Sequence, residues 1–138
     1  MQDSEWILDL IEQYLNSARS FSDRLCRAFG QEDLLSGRRS KAIPGKGIVP
    51  GGLEFNFHGI GCRFSDGTSS VDVDFTPEGK VSGFDGWRLH AFSAENASFG
   101  GLRSHEDVES ALKKLLAQGL IEPLPGSHLY RLRARGGA

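Results

Sequence analysis

Residues 53–75 read LEFNFHGIGCRFSDGTSSVDVDF, and an apolar side chain occupies every second position through most of this stretch. A period of two is typical of β-strands that bury one face, because successive side chains of a strand point to opposite sides. The Ser-Asp-Gly-Thr run at residues 65–68 is a turn signal that separates two strands. The alternation therefore predicts antiparallel strands whose buried face carries Leu53, Phe55, Phe57, Ile60, Cys62, Phe64, Val71, Val73 and Phe75.

The hydrophobic period is different before this stretch. Residues 4–29 place apolar side chains at steps of three and four, which predicts an amphipathic helix that ends at Gly30. A helix of this length spans about 35–40 Å, so we expect it to lie across the whole sheet. Residues 31–52 concentrate glycine, proline and four basic side chains without a period, which predicts a basic loop.

Further strands and a second helix are predicted after the decisive stretch. Residues 76–80 form a second turn, and residues 81–84 and 87–92 continue the meander. The second helix begins after Ser104, which is a suitable N-cap, and Gly119 ends it.

The C-terminal part predicts a hairpin of two short strands, residues 120–124 and 128–132, and a frayed tail at residues 133–138. The predicted fold class is α+β, in a single domain that spans residues 1–138. It consists of an antiparallel meander of about four to six strands, with the N-terminal helix packed on one face, a second helix and the C-terminal hairpin.

Composition limits the possible classes of protein. The chain has 138 residues, of which 38% are hydrophobic and 25% charged, and this mix excludes a disordered chain. A net charge of −2 excludes the overall basic charge of a non-specific nucleic-acid binder. No apolar run is long enough to span a membrane, and the acidic N-terminus is unlike a secretory signal. We therefore expect a cytoplasmic protein in which Cys26 and Cys62 are reduced.

Asp72 and Asp74 are the most suggestive pair of side chains. At positions i and i+2 of a strand they share one face, with side chains about 7 Å apart. Three interpretations stay open: a solvated face, an acidic patch that binds a partner, and a cation or acid–base site. Residues 51–92 carry six acidic and three basic side chains, which concentrates negative charge on the sheet and favours a basic partner.

No set of residues matches a metal, cofactor or catalytic motif. His58, Cys62 and His90 invite a metal hypothesis, but His58 and Cys62 would lie about 13 Å apart on an unbulged strand. Zinc ligands lie roughly 2.0–2.3 Å from one point. Cys62 continues the buried alternation and Cys26 falls within the helix, so neither is expected to be an activated thiol. We expect no metal, no cofactor and no enzymatic activity.

Three motifs follow the N-terminal helix: HGIGCRF at residues 58–64, VDVDF at 71–75 and GFDGWRL at 83–89. Together they resemble an uncharacterised family of small bacterial domains of unknown function, whose members look like immunity proteins of toxin systems. The resemblance implies a non-catalytic protein that binds and neutralises a toxin or effector protein. The candidate partner-binding residues are Asp72, Asp74, Asp85, Trp87 and Arg88, to which the polar side of the first strand adds Glu54 and His58.

Two other functions stay open. The Asp72/Asp74 face, together with Arg63, Arg88 or the basic loop, would serve a small-ligand-binding domain or an enzyme if a pocket gathers these polar groups. The second helix and the hairpin after it resemble the end of a winged helix, which is a DNA-binding arrangement. The mixed charge of that helix and the predicted β-structure before it disfavour DNA binding.

Overall fold

The computed structural model describes residues 5–30, 43–58, 61–75, 81, 83–95 and 104–133. The elements in chain order are α1 (Glu5–Ala28), β1 (Lys46–Val49), β2 (Leu53–His58), β3 (Gly61–Ser65), β4 (Ser70–Asp74), α2 (Gly86–Glu95), α3 (His105–Ala117), β5 (Ile121–Pro123) and β6 (Tyr130–Leu132). Strands β1 to β4 form one antiparallel sheet in the order of the sequence, and β5 pairs with β6. The predicted α+β fold with a meander, a long N-terminal helix and a C-terminal hairpin is confirmed.

Strands β2, β3 and β4 keep the predicted alternation. In the register of the sheet, Phe55 lies opposite Phe64, and Cys62 lies opposite Val73. All four side chains are buried, so the three strands present one continuous apolar face.

One aspartate closes the turn between β3 and β4. The Asp66 carboxylate accepts hydrogen bonds from the backbone N–H groups of Thr68 at 3.0 Å and of Ser69 at 2.8 Å. Between them, Gly67 has φ +92°, a left-handed conformation that favours glycine. Burial is the largest single influence on Asp66 and raises its pKa, but the hydrogen bonds together outweigh it and hold the pKa below its usual value.

Helix α1 crosses the buried face of the sheet from β4 to β2. The Tyr14 hydroxyl donates a hydrogen bond of 2.5 Å to the backbone carbonyl of Asp72 in β4. Burial raises the pKa of Tyr14, so the phenol stays protonated and keeps this bond. Farther along, the Phe21 ring packs on β3 and the Phe29 ring on β2, with ring centroids 5.9 and 6.0 Å from their partners. The predicted helix therefore extends across β4 and β3, and Phe29, just after its end, reaches β2.

The predicted basic loop contains a strand. Residues 46–49 form β1, which pairs with β2, because Gly51 (φ +96°) and Gly52 (φ +86°) allow a tight reversal between the two strands. A four-residue strand is too short to show a period beside so many glycines. Residues 31–42 of the predicted loop lie outside the described residues, as do the predicted turn at 76–80 and residues 134–138 of the tail.

The predicted strand at residues 87–92 is wrong, because these residues belong to α2. Asp85 is the N-cap: its carboxylate accepts a 2.8 Å hydrogen bond from the backbone N–H of Arg88, and its carbonyl accepts one of 3.1 Å from Leu89. The buried residues of the helix have a helical spacing, since Leu89 lies three residues after Gly86, and Phe92 and Ser93 lie three and four residues after Leu89.

Helix α3 and the hairpin follow the prediction. Ser104 caps the helix through a capping box, and Gly119, with φ +73°, lies just after its end. The predicted strand at residues 81–84 is instead reduced to isolated pairings. One of them joins Phe84 to Tyr130 of β6 by reciprocal backbone hydrogen bonds of 3.0 and 2.7 Å. This pairing ties the hairpin to the segment that precedes α2.

Candidate functional site

The side of the sheet opposite α1 is termed the outer face. It carries Lys46, Ile48, Glu54, Asn56, His58, Gly61, Arg63, Ser65, Ser70, Asp72 and Asp74. Ile48 is 67% exposed although its side chain is aliphatic. Beside it lies a shallow cavity of about 530 Å³, whose polar lining residues are Lys46, Glu54, Asn56, Arg63 and Ser65. An apolar centre with polar surroundings is also the arrangement found in protein contact surfaces.

Arg63 links the outer face to α2. Its guanidinium donates a 2.9 Å hydrogen bond to the Asp72 carboxylate and pairs with the carboxylate of Glu95 at the end of α2. The hydrogen bond with Glu95 is the largest influence on Arg63 and raises its pKa. On the other side, His58 Nε2 lies 3.6 Å from Asp72 Oδ1. The predicted residues Asp72 and His58 are thus brought together on the outer face, with Arg63 between Asp72 and α2.

Asp74, Asp85, Arg88 and His128 form a second group, termed the corner cluster. The Arg88 guanidinium lies 2.6 Å from an oxygen of Asp74 and 2.7 Å from an oxygen of Asp85. His128 Nε2 lies 3.1 Å from the same Asp85 oxygen. The cluster joins β4, α2 and the segment between β5 and β6.

The corner cluster corrects the prediction of an open acidic face. The strand alternation predicts Asp74 in solvent beside Asp72, and the family resemblance adds Asp85 and Arg88 as further contact residues. Asp74 and Asp85 are instead buried, and the Arg88 side chain is only 21% exposed. The physical reason is α2, which packs against β4 and inserts Arg88 between the two carboxylates.

Gly61 makes room for this arrangement. It lies opposite Asp74 in the sheet, and a methyl group at its Cα would approach Asp74 Oδ1 to 2.7 Å and the Val73 carbonyl oxygen to 2.9 Å. The absence of a side chain at Gly61 therefore lets the Asp74 carboxylate lie over the sheet.

Trp87 lies at the surface in the first turn of α2. It is 68% exposed, and one side of its ring stacks on His105 of α3, with ring centroids 4.1 Å apart and planes at 26°. The His90 ring meets His105 edge-on at 5.8 Å. Glu109 Oε1 lies 3.3 Å from His105 Nε2. We term this group the Trp87–His105 stack.

The match with known families covers nearly all of this architecture. The family model described as a domain of unknown function, DUF6896, matches residues 7–132, from the first turn of α1 to β6. The chain belongs to this family. Comparisons with the curated proteins and with the solved structures gave no match. The membership confirms the predicted resemblance to a family of unknown function, and its relation to immunity proteins stays a hypothesis.

The chemistry of this DUF6896 domain is dominated by paired charges. Asp72 and Asp74 share the outer face, but each carboxylate pairs with a different arginine, Arg63 or Arg88. Burial raises the pKa of the Cys62 thiol to about 12, which disfavours the nucleophilic thiolate. Within the described residues, no three His, Cys, Asp or Glu side chains are grouped as metal ligands. Among the helices of the described residues, none contains an apolar stretch of the length that a membrane span requires.

Sequence reasoning missed several residues of these surfaces. Lys46 and Ile48 fall in the predicted basic loop, so the sequence analysis assigns them to no strand. The adjacent β-branched residues Ile48 and Val49 are a short strand signal that could have indicated β1. His105 and Glu109 fall in the helix predicted after Ser104, and no local motif marks either of them as part of a site. Their approach to Trp87 depends on the packing of α3 against α2, for which the sequence carries no local signal.

Proposed function

We propose that this domain is a non-catalytic protein that binds and neutralises an effector protein, as an immunity protein does, and that the outer face contacts the effector. The exposed Ile48 beside the shallow cavity carries this proposal. Interfaces commonly place an apolar anchor in the centre and polar groups at the rim. Here the rim consists of Lys46, Glu54, Asn56, Arg63 and Ser65, and His58 lies farther along the same face.

The rim offers both signs of charge. Lys46 lies diagonally across the strand pair from Glu54, because Lys46 is opposite Asn56 and Ile48 is opposite Glu54. Arg63 is already oriented by Asp72 and Glu95. Fixed charges of this kind select a partner and its orientation more than they add affinity. The proposed contact surface is therefore mixed in charge, unlike the acidic patch that is one of the three interpretations of the Asp72/Asp74 pair.

The state of the candidate catalytic groups supports a binding role. Arg63 and Arg88 neutralise the carboxylates of Asp72 and Asp74, which weakens the affinity of these groups for a cation. The raised pKa of Cys62 leaves its thiol protonated at neutral pH. The cytoplasm, where the predicted reduced cysteines persist, is the proposed location.

One observation favours a second candidate function, the binding of a small molecule. The cavity beside Ile48 has a volume within the usual range of ligand sites, roughly 300–1,000 Å³, and gathers Lys46, Asn56 and Arg63. A thermal-shift screen with nucleotides, amino acids and sugar phosphates tests it, and a stabilisation that Asn56→Ala removes would support a ligand site.

DNA binding is not favoured. The β-structure predicted before α3 is corrected in part, because residues 87–92 form α2, although the strands β1 to β4 still precede it. However, the first turns of α3 carry the carboxylates of Glu106, Asp107 and Glu109, which repel phosphates.

The test begins with the native complex, purified from the source cells so that the partner is identified. The activity of the purified partner is then measured with and without this domain. Ile48→Asp is expected to weaken binding by about tenfold or more, because it places a charge in the apolar centre. Leu116→Asp is the matched control, because Leu116 is also an exposed apolar residue but lies near the end of α3.

Three outcomes contradict the proposal. Equal affinities for Ile48→Asp and the wild type move the contact away from the outer face. A partner whose activity is unchanged by the wild-type domain removes the neutralising role. Turnover of a substrate by the purified domain removes the non-catalytic assignment.

A further inference from the structure

The Trp87–His105 stack is an exposed aromatic surface with one side already occupied. His105 covers one side of the Trp87 ring at a centroid distance of 4.1 Å, and Trp87 nevertheless keeps 68% of its surface in solvent. Stacking on His105 also restricts the rotation of the indole, so a partner that binds the open side loses little side-chain entropy. These two properties are those of an anchor for an incoming group.

The charges around the stack select the kind of group. Glu109 contacts His105 and also lies against Gly86, the residue before Trp87, where an added methyl group would overlap the carboxylate. Glu106 is exposed in the first turn of the same helix. The guanidinium of Arg88, the residue that follows Trp87, is already held by Asp74 and Asp85 in the corner cluster.

We propose that the Trp87–His105 stack binds an arginine side chain of the effector protein, with the guanidinium over the open side of the indole, in the negative field of the nearby Glu106 and Glu109 carboxylates. A planar guanidinium stacks on an indole ring and is attracted by the negative face of the π-system. This inference rests on the proposed function, and it adds a second contact surface at the end of α2, apart from the outer face.

The arginine preference is tested on the intact domain with defined probes, without the effector. Hexa-arginine, hexa-lysine and hexa-glutamate are titrated by calorimetry at low salt. Hexa-arginine is expected to bind more tightly than hexa-lysine, and hexa-glutamate is expected not to bind. Trp87→Ala is expected to weaken hexa-arginine binding by about threefold to fivefold, which corresponds to an exposed cation–π contact.

Two further variants separate recognition from folding. Trp87→Phe keeps an aromatic face and is expected to restore part of the affinity that Trp87→Ala loses. Leu116 is also an exposed apolar residue, but it lies near the end of α3, away from the stack. Leu116→Ala is therefore expected to bind hexa-arginine like the wild type. Circular dichroism tests whether each variant is folded. We expect the Trp87 variants to fold, because Trp87 is largely exposed.

Failure of this inference is distinguishable from failure of the proposed function. If Trp87→Ala binds hexa-arginine as tightly as the wild type, or if the wild type binds none, the arginine site is refuted. The Ile48→Asp measurement with the purified effector is unaffected by that result. Conversely, loss of hexa-arginine binding in Trp87→Ala together with full effector binding by Ile48→Asp would retain the arginine site and refute the outer-face contact.

Discussion

Asp72→Asn and Asp74→Asn are chemically identical changes, two residues apart on one face of β4, and we expect them to differ in their effect on stability. The Asp74 side chain is 11% exposed and its Arg88 partner 21%, with 2.6 Å between oxygen and nitrogen. The Asp72 side chain is 33% exposed and its Arg63 partner 41%, at 2.9 Å. The Asp74–Arg88 pair is therefore shielded from water, whereas solvent and salt partly screen the attraction between Asp72 and Arg63.

The magnitudes follow from this difference. Removing one partner of a fully buried ion pair costs about 3–5 kcal/mol, because the other charge stays buried. Arg88 keeps Asp85 at 2.7 Å, so we expect Asp74→Asn to lower the free energy of unfolding by about half of that, roughly 2 kcal/mol. Arg63 keeps Glu95, and an exposed pair contributes about 0.2–1 kcal/mol, which is the expected cost of Asp72→Asn.

Urea unfolding followed by circular dichroism measures both costs, provided that the slope of the transition is unchanged. A double-mutant cycle of Asp74→Asn with Arg88→Met then isolates the pair, for which we expect a coupling free energy of about 1 kcal/mol or more. Equal destabilisation by Asp72→Asn and Asp74→Asn, within about 0.5 kcal/mol, would refute the burial argument. So would a coupling free energy of zero.

Two further predictions concern a thiol and a turn. Cys62 is expected to remain unreactive toward a thiol reagent at pH 8 in the native state and to react after unfolding, because burial raises its pKa to about 12; rapid modification of Cys62, located by peptide mass spectrometry, would contradict this. Asp66 has a lowered folded-state pKa, so its ionised form stabilises the protein above the unfolded pKa, and this stabilisation disappears as the pH falls through the folded value. The wild type is therefore expected to have a higher free energy of unfolding than Asp66→Asn at pH 6, and this difference is expected to disappear below pH 3.8. A difference that stays constant in acid unfolding curves would rule out the stabilising role of the ionised Asp66 carboxylate.

The sequence by itself determines the elements whose hydrophobic period is long or whose end signals are local. The apolar stripe of α1 repeats over 24 residues, so the helix and its buried face were predictable. Strands β2 to β4 alternate between buried and polar side chains, and Asp66 marks the turn between β3 and β4, so these strands and their buried face were predictable too. Ser104 and Gly119 mark α3 in the same local way. In these segments the side-chain pattern and the backbone propensity agree, and tertiary packing only selects what they already favour.

Helix α2 shows where prediction from the local sequence pattern fails. Its ten residues contain both a helical spacing of buried groups and a plausible strand alternation, and short apolar segments of this kind are ambiguous in sequence. The Asp85 cap decides in favour of the helix, and contacts with α1, such as the edge-on pairing of Phe92 with Tyr14 at 5.7 Å, hold it against the sheet. The helix in turn decides which candidate residues are open to a partner.

The two aspartates of β4 separate the contributions of sequence and tertiary structure. The period of two correctly places Asp72 and Asp74 on the same face of the sheet and makes them equivalent. Only the packing of α2, which brings Arg88 over Asp74 and leaves Asp72 between His58 and Arg63, makes one carboxylate buried and the other accessible. The accessibility of a charged side chain depends on elements distant in sequence, and a local pattern contains no information about what will cover the face that it defines.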